Sequence, residues 1–349
     1  MTAALALAER TRGRTAPNPN VGCVIVRDGR VVGRGWTQPG GRPHAEAMAL
    51  AQAAEAARGA TAYVTLEPCA HVSPRGPACA DLLAAAGIAR VVVAVGDPDP
   101  RTDGRGIARL CEAGIAVTTG VGAEAAARSM AGFLTRRRFG RPQVTLKLAT
   151  SLDGRIALPD GSSRWITGAE ARAHAHLERS RHEAILVGRG TWDTDAPRLD
   201  VRLPGLERFS PRRIVLSTHP HPSALRASSL SQWEREGAPE ARKGEGESDV
   251  LWIDSPQAIA TLPATDHILI EGGAGAAAAF LRADLVDRLL LYRAPVLIGA
   301  GQAAIGDIGL GDLAMAHGRW RLHDARQLGT DRLEVYERCR EQGRTCSPE

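Results

Sequence analysis

The sequence predicts two α/β units in tandem. β-Branched apolar runs such as Val21-Gly22-Cys23-Val24-Ile25-Val26 alternate with alanine-rich stretches of helical length. The alternation stops at a basic segment, residues 133–142, and then begins again. At 349 residues the chain has room for two domains of ordinary size.

Taken in order, residues 1–10 read as an amphipathic helix that lacks the basic n-region of a signal peptide. Ala16-Pro17-Asn18-Pro19-Asn20-Val21-Gly22 is a turn-rich loop. Val21–Val26 and Val31–Trp36 are strands joined by Asp28-Gly29, a hairpin signal. Residues 45–51 form a helix, strand Thr61–Leu66 leads into Glu67-Pro68-Cys69, and helix Cys79–Ala86 stops at Gly87. Strand Arg90–Val95, a helix near 107–113, strand Ile115–Thr119 and a helix near 123–130 close the first unit. Phe133–Pro142 reads as the linker.

The second unit opens with strand Val144–Ala149 and a helix near 169–181, with Thr167 a candidate N-cap. Strands Ala184–Val187, Arg213–Ser217, Val250–Ile253 and His267–Ile270 follow, with a polar, partly mobile surface loop through residues 203–248. Helix Ala274–Leu281, strand Leu285–Tyr292 and an edge hairpin from Arg319–Leu322 and Arg332–Tyr336 complete it. Ligands in such sheets gather at strand ends.

The strongest chemical signal is His44-Ala45-Glu46 with Glu67-Pro68-Cys69 and Cys79. One imidazole and two thiols are the donors zinc favours, and three protein ligands leave its fourth position to water, whose pKa falls to about 7. His44 and Cys79 each open an alanine-rich helix, where the dipole favours thiolate. Glu46 is placed to carry protons rather than to ligate, as in the His-x-Glu … Pro-Cys pattern of zinc-dependent base deaminases. A structural zinc module is the alternative. It requires a fourth protein ligand, and His71 is the one nearby candidate.

Composition narrows the partners. Six cysteines in so long a chain are not a disulfide scaffold and fit a reducing cytoplasm. Cys23 and Cys111 read as core filler, Cys339 and Cys346 as residues without a role. No run approaches the roughly twenty apolar residues of a membrane span. The net charge is +5, while aromatics make up 4% and leave few platforms for stacking nucleic-acid bases. Small anionic ligands fit better than nucleic acid, although a tRNA or polynucleotide deaminase with an accessory domain would use the same zinc chemistry.

The second half offers a weaker pattern. Glu271-Gly272-Gly273-Ala274-Gly275 lies between an apolar strand and an alanine-rich helix, where backbone N–H groups can meet a phosphate. A bare tight turn fits it equally. Ser151-Leu152-Asp153-Gly154-Arg155, Trp165-Ile166-Thr167 and Gly188-Arg189-Gly190-Thr191 are further candidates, with Trp165 open to a plain core reading. Only Lys147 and Lys243 are lysines among 44 basic residues, so Lys147 inside an apolar strand points to a need for a compact charge.

With these residues in view, the chain resembles the bifunctional deaminase–reductases of riboflavin biosynthesis. The likeness runs through Asn18-Pro19-Asn20-Val21-Gly22, Pro43-His44-Ala45-Glu46, the Tyr63–Cys69 stretch and Gly104-Arg105-Gly106. It continues in Leu146-Lys147-Leu148, Ser151–Arg155, Ser163–Thr167, the Thr191–Arg202 segment and Glu271-Gly272-Gly273. The resemblance implies a cytidine-deaminase-like α/β/α layered domain over residues 1–141 and a dihydrofolate-reductase-like α/β domain over 142–349. The first would release ammonia from 2,5-diamino-6-(5-phosphoribosylamino)pyrimidin-4-one. The second would use NADPH to reduce ribosyl to ribityl.

By the same resemblance, one Zn2+ is held by His44, Cys69 and Cys79, Glu46 moves the proton, and Asn18, His71 and Arg75 contact the deaminase substrate. Ala149, Trp165, Thr191, Asp195, Ser217, Gly273, Ala274, Gly275, Ala276, Ala277, Ala278 and Ala279 fall on NADPH-contacting positions. Ser163, Arg179, Leu199, Arg202 and Glu271 fall on substrate positions, with Lys147 and Asp153 near the reacting sugar. The partners implied are small phosphorylated pyrimidines, with no nucleic acid or membrane, and the chain is expected to form a homo-oligomer. Nine residues separate Cys69 from Cys79 where the family usually has eight, a departure that touches no zinc ligand and bears on the match at Arg75.

Overall fold

In a computed structural model, which describes residues 1–71, 76–218 and 250–340, the chain divides into two units. They are Met1–Pro142 with Ala264–Asp266, and Gln143–Pro263 with His267–Glu349. The first contains α1 (Thr2–Ala8), β1 (Gly22–Arg27), β2 (Arg30–Trp36), α2 (Ala45–Ala53), β3 (Thr61–Leu66), α3 (Cys79–Ala85) and β4 (Arg90–Val95). It continues with α4 (Arg105–Glu112), β5 (Ala116–Thr119), α5 (Ala123–Ser129) and α6 (Ala131–Phe139). Its sheet has the order β2-β1-β3-β4-β5, with β1 antiparallel to both neighbours and β3, β4 and β5 parallel. Ile25, Val64, Leu83, Val91, Val93 and Leu110 are among the residues of its core.

Small residues set how closely α2 lies on the sheet. Ala45, Ala49 and Ala53 recur every four residues and are buried, so one face of the helix is a stripe of methyl groups. Beneath them β2 presents Gly33 and Gly35. A Cβ on Gly35 would lie 2.0 Å from the Ala45 carbonyl oxygen and 2.6 Å from the Ala49 nitrogen. The helix that starts just after His44 thus rests on strand backbone.

Two expectations need correction here. Residues 133–142 are not an extended linker: most of them lie in α6, because Phe133 is buried in the core and Gly140, at φ 69°, ends the helix in the left-handed conformation. Cys111 is exposed rather than core. Helix α4 buries Gly106 and Leu110, and the next residue is turned about 100° away from that face.

The second unit contains β6 (Gln143–Thr150), β7 (Arg155–Ala157), α7 (Ala169–Arg179), β8 (Ala184–Gly188), α8 (Arg189–Asp195), β9 (Arg212–Leu216) and β10 (Val250–Ile253). Then come β11 (His267–Glu271), α9 (Ala274–Arg282), β12 (Arg288–Arg293), β13 (Gln302–Ala303), β14 (Trp320–Leu328) and β15 (Asp331–Arg338). The main sheet has the order β10-β9-β8-β11-β6-β12-β15-β14, parallel from β10 to β12. It ends in the antiparallel hairpin expected at the edge. β7 and β13 form a separate antiparallel pair. Ile268 and Ile270 on β11 and Val144 and Leu146 on β6 are buried, as central parallel strands require.

Gly168, not Thr167, stands at the N-cap of α7, and its N–H donates to Asp331. Trp165 is 67% exposed, so the core reading of that residue fails. Arg75, Lys243, Cys346 and most of the polar loop expected over 203–248 lie outside the described residues. Among the described residues no helix is long and apolar enough to cross a membrane.

A methyl group at position 35 would have to push α2 off the sheet. The Gly35→Ala variant should therefore lose about 1–3 kcal/mol of stability, read as a lower urea midpoint. The same substitution at Gly311, which has open space around it and no left-handed backbone, should leave the midpoint nearly unchanged.

Candidate active sites

The ends of β3 and β4 and the starts of α2 and α3 bring the predicted zinc donors together. His44 is the N-cap of α2, Cys69 follows β3 by three residues, and Cys79 is the first residue of α3. The His44 Nδ1 atom lies 3.3 Å from Cys79 Sγ and 3.6 Å from Cys69 Sγ. All three donor atoms fall within 4.8 Å of one another. Tetrahedral zinc with Zn–S near 2.3 Å and Zn–N near 2.0 Å has donor–donor edges of about 3.5–3.8 Å. The donor set and its spacing fit that ion.

The electrostatics suit a cation. The Cys69 thiol is held down, to about 4, first by the hydrogen bond from Cys79 and further by the His44 imidazole and the Cys79 backbone N–H. The same hydrogen bond and burial push Cys79 up. Glu46, 3% exposed, is pushed up to about 7 by burial, with the charge of His44 opposing. A buried carboxylate poised near neutrality is suited to proton transfer.

His44, Cys69 and Glu46 line one pocket of about 170 Å3, which also includes Asn18, Arg42, Glu67, His71, Asp97, Asp99, Arg101, Phe133 and Arg137, while Cys79 lines a neighbouring recess that shares His44 and Arg42. Asn18 lies 3.4 Å from His44 Nε2 and donates to the Gly41 carbonyl. His71 has a buried Nδ1 without a hydrogen-bond partner among the described residues, and it stands outside the group of three metal donors.

Glu67 has a structural role that its place in Glu67-Pro68-Cys69 does not by itself reveal. Its carboxylate, 3% exposed, accepts four backbone N–H groups. Oε2 takes those of Asp97 and Gly104, at 3.2 and 3.1 Å, and Oε1 takes those of Gly106 and Ile107, at 2.9 and 3.1 Å. It caps α4 from outside and anchors loop 96–104 beside Cys69. Gly106 is required because a Cβ there would lie 1.9 Å from the Pro68 carbonyl oxygen. The signal was available as Glu67-Pro68-Cys69 together with Gly104-Arg105-Gly106.

In the second unit Lys147, Arg179 and Glu271 come together where β6 and β11 lie side by side. Lys147 and Glu271 are register partners on β6 and β11, with Nζ 3.8 Å from Oε2. Arg179 grips Glu271 through Nε and Nη2, at 2.7 and 2.9 Å, and donates Nη1 to the Asp200 carbonyl at 2.8 Å. Its donors are thus directed into the protein. Burial would raise Glu271, but Lys147 and Arg179 overcome it and hold the carboxyl at about 2. Arg202 is exposed and paired with Asp200, and Leu199 is buried. Asp153 accepts from Ser151 Oγ and from the N–H groups of Ile298 and Gly299, so its carboxylate ties two loops together.

The Gly272-Gly273 turn has φ 88° and 71°, opens α9, and faces Thr191, whose Oγ1 lies 2.9 Å from where a Gly273 Cβ would stand. Gly275 has open space at its Cβ position. First-turn N–H groups with that opening fit the phosphates of a dinucleotide. Trp165 and Asp195 are exposed, Ser217 is buried just past β9, and Ala149 is half-buried on β6.

Comparison with known proteins agrees with this division. Residues 1–95 match the cytidine and deoxycytidylate deaminase zinc-binding region, and residues 142–333 match the RibD C-terminal domain. The riboflavin biosynthesis protein RibD of Escherichia coli is 39% identical, over 95% of this chain and 96% of the relative. The chain belongs to the RibD family. The Aquifex aeolicus RibD is also 39% identical, over 89% of this chain and 90% of its own.

Solved RibD structures superpose over nearly the whole length. Form 1 of the Acinetobacter baumannii protein has a TM-score of 0.81 at 36% identity, covering 97% of this chain and 98% of that one. The Thermotoga maritima deaminase/reductase has a TM-score of 0.81 at 32% identity, covering 97% of each. As a RibD protein, the chain is a zinc-dependent deaminase of cytidine-deaminase fold fused to an NADPH-dependent reductase of dihydrofolate-reductase fold, acting in riboflavin biosynthesis.

The Glu271 network makes a pH prediction. Its carboxyl titrates at about 2 in the fold against an ordinary value near 4.5. The stability it contributes is complete above pH 4.5 and is lost as pH falls through about 2. The difference in urea midpoint between the wild type and Glu271→Gln should be widest near neutrality and shrink from pH 4.5 toward 2. A gap that is constant over that range would contradict it.

Proposed function

We propose that His44, Cys69 and Cys79 hold the zinc and that Glu46 is the proton carrier for hydrolysis of the 2-amino group of 2,5-diamino-6-(5-phosphoribosylamino)pyrimidin-4-one. The observation that carries this reading is the meeting of three metal donors within 4.8 Å of one another, two of them lining one pocket with a buried carboxylate. When bound, zinc supplies a Lewis acid that makes water nucleophilic at neutral pH. Glu46 accepts the proton of the attacking water on its carboxylate and returns protons to the ring nitrogen and the departing amine. Asn18 and His71 line the same pocket and orient the pyrimidine, with Arg75 contributing from the loop between the cysteines. Among the described residues the donor set stops at three, which supports a catalytic rather than a closed structural site.

For the reductase, Ala149, Trp165, Thr191, Asp195, Ser217 and residues 273–279 bind NADPH, with the pyrophosphate at the N-terminus of α9. NADPH supplies the hydride for reduction at the sugar C1′. Ser163, Leu199, Arg202 and Glu271 receive the substrate, and exposed Arg202 suits the sugar phosphate. Arg179 works through Glu271, holding its carboxylate in place. Lys147 presents its compact charge beside that carboxylate, and Asp153 shapes the loop nearby. The substrates are small phosphorylated pyrimidines, and the protein acts as a homo-oligomer in the cytoplasm.

Glu46→Gln should retain about one zinc per chain by metal analysis while ammonia release falls by about 10²–10⁴-fold. Near-normal turnover in that variant would remove Glu46 from its role. With the deaminated product supplied, the wild type should oxidise one NADPH per ribosyl group reduced, followed at 340 nm. No loss of absorbance would refute the reductase assignment.

A further inference from the structure

The pocket lined by His44, Cys69 and Glu46 also carries a pair of arginines for which neither the metal nor proton transfer provides a use. Arg101 lies in the loop after β4, and Arg137 reaches in from α6. Both converge on one oxygen, Asp99 Oδ2, at 2.7 Å from Arg101 Nη2 and 3.2 Å from Arg137 Nη2. Arg101 also donates Nε to Oδ1 at 3.0 Å, so one edge of its guanidinium is fully engaged. Asp99 is itself fixed: its N–H donates to Asp97 Oδ1, and its Oδ1 accepts the Arg101 N–H.

The two guanidinium groups share the Asp99 carboxylate, with the buried Asp97 carboxyl as a second acidic neighbour of both. Apart from that carboxylate, Arg137 contacts only the Phe133 ring, at 5.2 Å from its centroid, among the described residues. Arg101 Nη1 and Arg137 Nε and Nη1 are thus left for another acceptor. The arginine side chains are 61% and 36% exposed while Asp99 is 6% exposed. The clamp is therefore anchored inside and open toward solvent. Divergent donors from two pre-oriented guanidinium groups match a phosphate monoester, which offers three oxygens and close to two negative charges.

We propose that Arg101 and Arg137, gathered by Asp99, form the subsite for the 5-phosphate of the deaminase substrate. This rests on the deaminase reading above and adds to it the residues that select a ribotide over a riboside. Asp99 is a positioning residue that keeps two like charges adjacent. A purely structural alternative makes Asp99 a latch between α6 and loop 96–104, with no contact to substrate.

The test is steady-state ammonia release by the full-length zinc enzyme. Wild type, Arg101→Gln and Arg137→Gln are each given the diaminopyrimidine ribotide and its dephosphorylated riboside. The wild type should prefer the ribotide in kcat/KM. Each variant should lower that preference about tenfold or more, chiefly through a higher KM for the ribotide, with zinc content held at one per chain. Equal losses on both substrates would establish the latch and overturn the clamp. A wild type that deaminates both substrates equally well would overturn the clamp and leave the deaminase reading standing. A wild type that deaminates neither would overturn both.

Discussion

The first unit depends on a buried carboxylate that is not a catalyst. Glu67 lies between β3 and Cys69, and its two oxygens accept four backbone N–H groups from residues 97–107. A carboxylate out of water is costly unless its lone pairs are occupied, and four backbone amides occupy them. Loop 96–104, which has no regular structure of its own, is thereby tied to the strand that delivers a metal donor. The same tie places Asp97 and Asp99 at the rim of the pocket. Asp99 is held well below the usual carboxylate range, chiefly by Arg101, while burial pushes Asp97 up to about 6.

Around that anchor the metal donors need no long-range organisation. Two of the three sit at helix starts, where backbone N–H groups and the dipole favour negative sulfur. The Cys79 N–H is 3.3 Å from Cys69 Sγ, so the helix end that carries one thiol also stabilises the other. Glu46 lies two residues, just over half a helical turn, beyond the N-cap His44, close enough to share the pocket and too buried to be at ease when charged. The close seat of α2 on Gly33 and Gly35 fixes this arrangement, since any lift of the helix would move His44 and Glu46 together.

Much of this was legible in the sequence. Alternating apolar runs, alanine-rich stretches, the Asp28-Gly29 hairpin and the spacing of His44, Cys69 and Cys79 each report a local requirement, and local requirements are written in neighbouring residues. What was missed was settled by tertiary contact. The basic run Arg136-Arg137-Arg138 reads as a solvated linker because its charges conceal one residue, Phe133, that binds the helix to the core. Cys111 reads as filler because helix phase, not residue type, decides its exposure. Arg101 and Arg137 lie thirty-six positions apart, and nothing short of the fold places them on one carboxylate.

The second unit illustrates how a parallel sheet converts register into chemistry. Because β11 and β6 run side by side with Glu271 opposite Lys147, the two side chains emerge on the same face at the end where ligands bind. Arg179 from α7 then closes on Glu271 with two hydrogen bonds, the geometry a planar guanidinium favours. An arginine at position 147 would bring a second rigid fork to an oxygen pair that already has one. A lysine brings a single compact charge on a flexible stem, which approaches the carboxylate to 3.8 Å without competing for the two hydrogen bonds that Arg179 makes. In a chain that otherwise uses arginine almost throughout, the pairing with Glu271 is thus one that a lysine fits better.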